Sequence, residues 1–152
     1  LLESKIEFKT ITVMVQLEAG ERLCAEVGSR KSGAVTAAVN YYAEASELFK
    51  VQRECFMPSP NVDSAVIRLD VRKTRDFDIS DEKFFFKTVR GAFSQRRKTA
   101  ANGLSSSLGI DKNEVNSALE NAGLKTNVRA EALTMDELCR LSNELYKIAK
   151  EK

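Results

Sequence analysis

The feature that most constrains this 152-residue chain is a change of apolar period near residue 75. Upstream, residues 10–16 (Thr-Ile-Thr-Val-Met-Val-Gln) are dominated by β-branched side chains and predict a buried strand. Residues 17–27 predict a helix ending before Gly28, 29–32 a polar loop, and 33–43 a helix of small residues. Two further strands are predicted at 47–52 and 64–72, with a proline-containing segment between them. Downstream the period becomes helical. Ser80 is placed to cap a helix whose first turn carries Asp81 and Glu82, favourable against the positive end of the helix dipole. Asp111 with Glu114 and Thr134 with Glu137 have capping-box spacing, and Gly109 and Gly123 stand where helices stop. Leu138, Leu141, Leu145 and Ile148 mark one face of the last helix. The expected architecture is therefore α/β in residues 1–74 and all-helical in 75–152, with the polar stretch 72–79 as the linker.

With 43% hydrophobic and 30% charged residues the chain has the material for a packed core, which excludes a disordered polymer. No run approaches the roughly 18 apolar residues of a membrane span, and no charged-then-apolar leader is visible, so no membrane partner is expected. Three widely spaced cysteines, Cys24, Cys55 and Cys139, in a chain without histidine argue against a disulfide framework or a zinc site and for a reducing cytoplasm. No metal site is expected. The seven glycines are scattered, so no Gly-x-Gly-x-x-Gly loop is available for a nucleotide cofactor.

Two segments invite a chemical reading. At 100° per residue, Phe85, Phe86, Val89 and Phe93 fall on one side of a helix. Lys83, Lys87, Arg90 and, if the helix continues, Arg97 fall on the other. A solvated charged face is the ordinary explanation of such a pattern. The alternative is a phosphate-contacting ridge, and the adjacent Arg96-Arg97-Lys98 favours it, because three neighbouring cations repel one another until an anion arrives. In Phe56-Met57-Pro58-Ser59-Pro60, Pro58 and Pro60 fix their own φ angles and extend the residues before them, giving a stiff loop. Such a loop can present Phe56 as a stacking ring for an unstacked base, worth roughly 1–3 kcal/mol; equally, Phe56 can anchor the loop in the core. Asp63 reads as a turn or capping residue rather than a catalytic acid.

Phe56 to Val66 and Phe93 to Thr99, taken together, resemble the small-subunit ribosomal RNA adenine dimethyltransferases of KsgA type. Val15-Gln16-x-Glu18-x-x-x-Arg22 is similar to the segment that follows the fifth strand of that family's methyltransferase sheet. Residues 33–42 resemble its Gly-x-x-Ser-x-x-x-Gln-Tyr-Tyr helix, with Thr36 and Asn40 in place of Ser and Gln. Asn61 stands where the family usually has Lys. Ala100 and Ala101 replace the usual Leu and Arg after the basic motif, and Arg129-Ala130-Glu131 resembles the lead into the final helix.

That resemblance implies the C-terminal part of a class I, Rossmann-like methyltransferase sheet followed by a small helical RNA-binding domain. The parent enzyme would move methyl groups from S-adenosylmethionine to adjacent adenines of small-subunit rRNA. Phe56 would stack on the target adenine on a loop stiffened by Pro58 and Pro60, and Lys83, Lys87, Arg90, Arg96, Arg97 and Lys98 would contact RNA. The family's cofactor loop and its catalytic Asn-Leu-Pro-Tyr motif do not occur, so no complete catalytic set, no cofactor binding and no activity are expected of this chain alone. Leu1 is not Met and reads as lying inside a helix, which suggests truncation; the alternatives are an RNA- or ribosome-binding module without catalysis, or a transcription-factor relative of the same family. Self-association is expected through the strand edge at 10–16.

Overall fold

The protein is described by a computed structural model for residue 2 and residues 7–151. The helix expected at Leu1 falls outside these residues. Three strands, β1 (Thr10–Gln16), β2 (Ala43–Val51) and β3 (Ser64–Val71), form a sheet in the order β1-β3-β2. Both outer strands are antiparallel to β3, so β1 and β2 run parallel to each other on either side of it. Val13 lies opposite Ile67 and Ile11 opposite Leu69, which places Ile11, Val13 and Val15 of β1 on one face with the buried Ala65, Ile67 and Leu69. That face is covered by α1 (Leu17–Leu23) and α2 (Ala34–Tyr42). The approach is close at Gly20, where an added Cβ would stand 3.1 Å from both Ala65 Cβ and Ile67 Cδ1.

Two boundaries differ by four residues from the sequence expectation. Helix α1 stops at Leu23 rather than Val27, because the Arg22 carbonyl accepts a hydrogen bond from the buried Thr36 hydroxyl at 2.8 Å. Strand β2 begins at Ala43, directly after α2 and four residues earlier than expected, since Glu44 to Glu47 pair with Ile67 to Asp70. A bulge between Glu47 and Phe49 then shifts its register.

The second part holds α3 (Glu82–Ala92), α4 (Ala100–Leu108), α5 (Lys112–Asn121) and α6 (Met135–Lys150). Asp81, not Ser80, caps α3, its carboxylate accepting the Phe84 N–H at 2.6 Å. Both capping boxes form, Asp111 with Glu114 and Thr134 with Glu137. Gly109 and Gly123 take the left-handed conformation after α4 and α5 (φ +67° and +77°), where a Cβ would be strained. Phe85, Leu104, Val115, Leu119, Leu138, Leu141 and Leu145 are fully buried, each contributing about 1.5–3 kcal/mol by removal from water.

This apolar cluster also takes in Val27, Ala37, Tyr41 and Tyr42 from the sheet side. Residues 72–81 form a packed strap between the two parts. Phe77 stacks on Tyr41 at 5.4 Å, and the Arg75 guanidinium lies 4.7 Å from the Tyr42 ring centre. Asn143 accepts the Ser80 N–H and donates to the Asp78 carbonyl. Both tyrosine hydroxyls donate to the Glu82 carboxylate at 3.0 Å.

Candidate nucleic-acid interface and base pocket

The basic motif sits on a turn, not on a helix. Helix α3 ends at Ala92, and the Ser94 hydroxyl takes the Gly91 carbonyl at 2.7 Å, offering the backbone an alternative to another helical turn. The Ser107 hydroxyl donates in turn to the Ser94 oxygen at 3.3 Å, and the Lys98 N–H closes onto the Gln95 carbonyl. Beneath the turn, α3 and α4 nearly touch. A Cβ at Gly103 would stand 2.4 Å from the Gly91 carbonyl oxygen, so only glycine fits. Arg96, Arg97 and Lys98 are thus exposed on a backbone fixed by helix packing.

They line one wall of a cleft of about 690 Å³. The opposite wall comes from α1 and the loop after it, with Glu18, Glu21, Arg22, Arg30 and Lys31, and Arg129 closes one side. Three of these cations are neutralised locally: Arg22 by Glu18 at 2.7 Å, Lys31 by Glu21 at 2.8 Å, and Arg129 by Glu131 at 4.0 Å. The Lys31 hydrogen bond and charge hold the Glu21 carboxyl below its ordinary pKa. Arg30, Arg96, Arg97 and Lys98 form no ion pair among the described residues, so the cleft carries four uncompensated positive charges. The Ser32 hydroxyl, buried in the same wall, has no hydrogen-bond partner among the described residues. Lys83, Lys87 and Arg90 are exposed on the outer side of α3 and do not line the cleft. Sequence reading missed Arg30, Lys31 and Arg129 as members of this site. The adjacent Arg30-Lys31 pair in a polar loop was the available signal.

The proline loop leaves β2 through a single 3-10 turn, Arg53–Cys55. Asp63 ties it down: its carboxylate accepts the Arg53 N–H at 3.0 Å, and its carbonyl accepts the Leu17 N–H at 2.9 Å. The Ser59 hydroxyl donates to the Arg53 carbonyl at 2.9 Å. Phe56 is half-buried and belongs to neither apolar cluster, while Met57, joined to Pro58 by a cis peptide, is fully exposed. A second cleft of about 690 Å³ lies against this loop, lined by Gln16, Glu18, Gln52, Arg53 and Asn61 to Asp63. It opens at the C-terminal ends of β1 and β2, where ligands bind in open α/β sheets. Arg53 and Glu54 pair on its rim at 2.9 Å, and that hydrogen bond lowers the Glu54 pKa. Glu18 borders both clefts, so the two sites are neighbours.

No cysteine lines either cleft, and the carboxylates shifted there, Glu21 and Glu54, are lowered by their cation partners, which holds them in the charged form. Burial pushes the Cys139 thiol up to about 12 and also raises Cys24, which makes both poor nucleophiles. No cluster of metal-ligating side chains occurs among the described residues, and no helix is long and apolar enough to cross a membrane. The described glycines do not form a nucleotide-binding turn: Gly20 and Gly103 are packed against neighbours, and Gly109 and Gly123 end helices.

Comparison with known proteins supplies the context. The family described as "Ribosomal RNA adenine dimethylase" matches residues 1–147. Ribosomal RNA small subunit methyltransferase A of Streptococcus thermophilus (strain CNRZ 1066) is 42% identical over 148 residues, covering 95% of this chain and 51% of that protein. The protein of the same name from Clostridium botulinum (strain Loch Maree / Type A3) is 41% identical, covering 97% and 54% respectively. The chain spans about half the length of the curated relatives it matches. Its fold resembles a dimethyladenosine transferase from Plasmodium falciparum, with a TM-score of 0.75 at 21% identity over 99% of this chain and 60% of that one. It also resembles the 23S rRNA methyltransferase ErmE, with a TM-score of 0.64 at 23% identity over 95% and 57%. A match running through residues 1–147, together with identity above 40% to named relatives, places this chain in the ribosomal RNA adenine dimethylase family.

Proposed function

We propose that this chain is the RNA-engaging half of a methyltransferase that dimethylates adjacent adenines of small-subunit ribosomal RNA in the cytoplasm. Its sheet is the C-terminal part of a class I, Rossmann-like methyltransferase sheet, and residues 75–152 are the helical RNA-binding part. The observation that carries this reading is the cleft of unpaired cations, Arg30, Arg96, Arg97 and Lys98, beside a pocket lined by the two ends of the Phe56 loop, residues 52–54 and 61–63, with Phe56 itself outside the lining.

In this reading the cations hold phosphates, and each neutralised phosphate releases condensed counterions. The target adenine leaves its stack and lies against the Phe56 ring, held in place by Pro58, Pro60 and the Asp63 clamp. Lys83, Lys87 and Arg90 contact RNA farther from the base. S-adenosylmethionine, bound by residues outside this chain, supplies the activated methyl group. What this chain contributes is position: the exocyclic amine is fixed relative to that methyl group, and positioning is a large part of what such a transfer requires.

The test is binding of the chain to the small-subunit 3′ hairpin RNA across a salt series, alone and with Arg96, Arg97 and Lys98 changed to Ala. Binding should weaken with salt, and the triple variant should flatten the log–log slope by about 2–3. A slope unchanged in the variant would move the RNA site elsewhere. Without added protein the chain should neither bind S-adenosylmethionine nor methylate RNA, and methyl transfer by the pure chain would overturn that part of the reading.

A further inference from the structure

Two buried side-chain oxygens have no hydrogen-bond partner among the described residues, the hydroxyls of Ser32 and Thr88. Thr88 is enclosed within α3 and lines neither cleft. Ser32 lies in the wall of the cationic cleft, immediately before α2. A buried hydroxyl left alone calls for a partner, and this one stands beside open space.

The start of α2, a helix of nine residues, is equally unprovided. Its N-cap, Gly33, has no side chain, and its first turn carries no acidic residue. The Ala34 and Val35 N–H groups donate to no acceptor among the described residues. The Thr36 oxygen takes the Gly33 N–H at 3.0 Å, and its hydroxyl is committed to the Arg22 carbonyl. Backbone conformation does not require glycine at position 33, since φ is −149°, extended and open to any residue. A Cβ added there would meet, beyond its chain neighbours, only the Thr36 oxygen at 4.0 Å. The space that a capping side chain would fill is empty, and Gly33 and Ala34 both line the cleft.

We propose, resting on the RNA-binding reading of this cleft, that Ser32 and the first turn of α2 seat one phosphate of the RNA backbone. A helix start offers N–H donors and a partial positive charge, both suited to an anion. The Ser32 hydroxyl adds a donor whose hydrogen can turn toward it. A phosphodiester has two free oxygens and can serve the backbone donors and the hydroxyl together. Full charges come from Arg30, two residues earlier, and from Arg96, Arg97 and Lys98 in the same cleft. The carboxylates of that cleft, Glu18, Glu21 and Glu131, are each occupied by a cation, so none serves as the anion of this seat. Mobile cationic side chains attract a strand at any position along it. Fixed amides and a hydroxyl accept a phosphate at one point, so the seat sets the register of the strand relative to the neighbouring base pocket.

The experiment compares the wild-type chain with Ser32→Ala and Gly33→Asn in binding the small-subunit 3′ hairpin RNA. Ser32→Ala removes a hydroxyl that makes no bond in the free protein, and Gly33→Asn lays a neutral cap over the helix start. Melting temperatures should therefore stay at or above that of the wild type, while affinity for the RNA falls about tenfold in each variant. The RNA is then made with a deoxynucleotide methylphosphonate at one linkage at a time, each beside the same deoxynucleotide carrying its phosphate. Neutralising one linkage should cost the wild type about tenfold and either variant less than about twofold, because in the variants that phosphate is no longer held. Variants that bind like the wild type overturn the seat, as do methylphosphonate losses equal in variant and wild type at every linkage. If the Arg96, Arg97 and Lys98 triple variant still loses salt slope in that case, RNA binding by the cleft stands without the seat. A wild-type chain with no salt-sensitive RNA binding overturns both.

Discussion

The turn at residues 93–99 and the loop at residues 52–63 both present functional candidates, but they are held by different means. The first stands on two helices in contact, with Gly103 against the Gly91 carbonyl and Phe85, Val89 and Leu104 buried below. The second is exposed along most of its length and is fixed by three hydrogen bonds made by Asp63 and Ser59. Cations placed on a rigid support repel without rearranging, so their charge stays available to a partner. The aromatic ring sits instead on a piece that can be loosened without unfolding the protein. Breaking the support of the turn should therefore cost global stability, whereas breaking the clamp of the loop should be felt locally.

The largest effect is expected from Gly103→Ala, whose methyl meets a backbone oxygen that cannot move aside. Overpacking of this kind should lower stability by about 3 kcal/mol, roughly 6–12 °C in Tm. A variant that melts like the parent would show that α3 and α4 are not so tightly apposed. Next is Asp63→Ala, which removes the acceptor of the Arg53 N–H. Hydrogen exchange at residues 53–60 should accelerate markedly while global stability falls by only about 1 kcal/mol. A large drop in Tm would mean that the loop is part of the core after all. Arg96, Arg97 and Lys98 changed together to Ala should leave stability within about 0.5 kcal/mol, since none is paired or buried. The same changes at Lys83, Lys87 and Arg90, outside the cleft, should alter the salt slope of RNA binding less; an equal or larger change would move the principal contact onto α3.

The smallest effect concerns alkali. Burial raises the Cys139 thiol to about 12 from an unfolded value of 9.0, so the folded state favours the neutral thiol. That preference contributes fully below pH 9 and is lost as pH rises toward 12. Tyr41, raised above 10.0 by burial and by Glu82, acts in the same direction. Tm should decline above pH 9, and Cys139→Ala should remove part of the decline; an unchanged curve in the variant would assign it to other groups.

How much of this was legible in the sequence depended on how local the cause was. The capping boxes at Asp111 and Thr134, and the bounds of strand β1, were readable because their determinants lie within a few residues; the expected burial of β1 was not met, since Ile11 alone of its residues is buried. The stop of α1 at Leu23 was not, since it depends on Thr36 reaching back from the next helix. The start of β2 was hidden because Ala43 to Glu47 carries no turn signal and becomes a strand only by pairing with β3. The Arg-Arg-Lys triplet was visible, but its departure from the helix was set by the Ser94 side chain. Arg30 and Arg129 were unremarkable as residues; the fold alone brings them to the same cleft.

One carboxylate has a consequence for the molecule as a whole. Glu82, at the start of α3, receives Tyr41 and Tyr42 from the end of α2, while Arg75 lies 3.5 Å from the same group. It is a rivet through three segments at the point where the sheet meets the helices. With that joint fixed, the turn that carries Arg96, Arg97 and Lys98 keeps one position relative to the sheet from which the Phe56 loop springs. In the proposed reading the protein works as a caliper, accepting an RNA whose backbone path between anchor and extruded base matches its jaws.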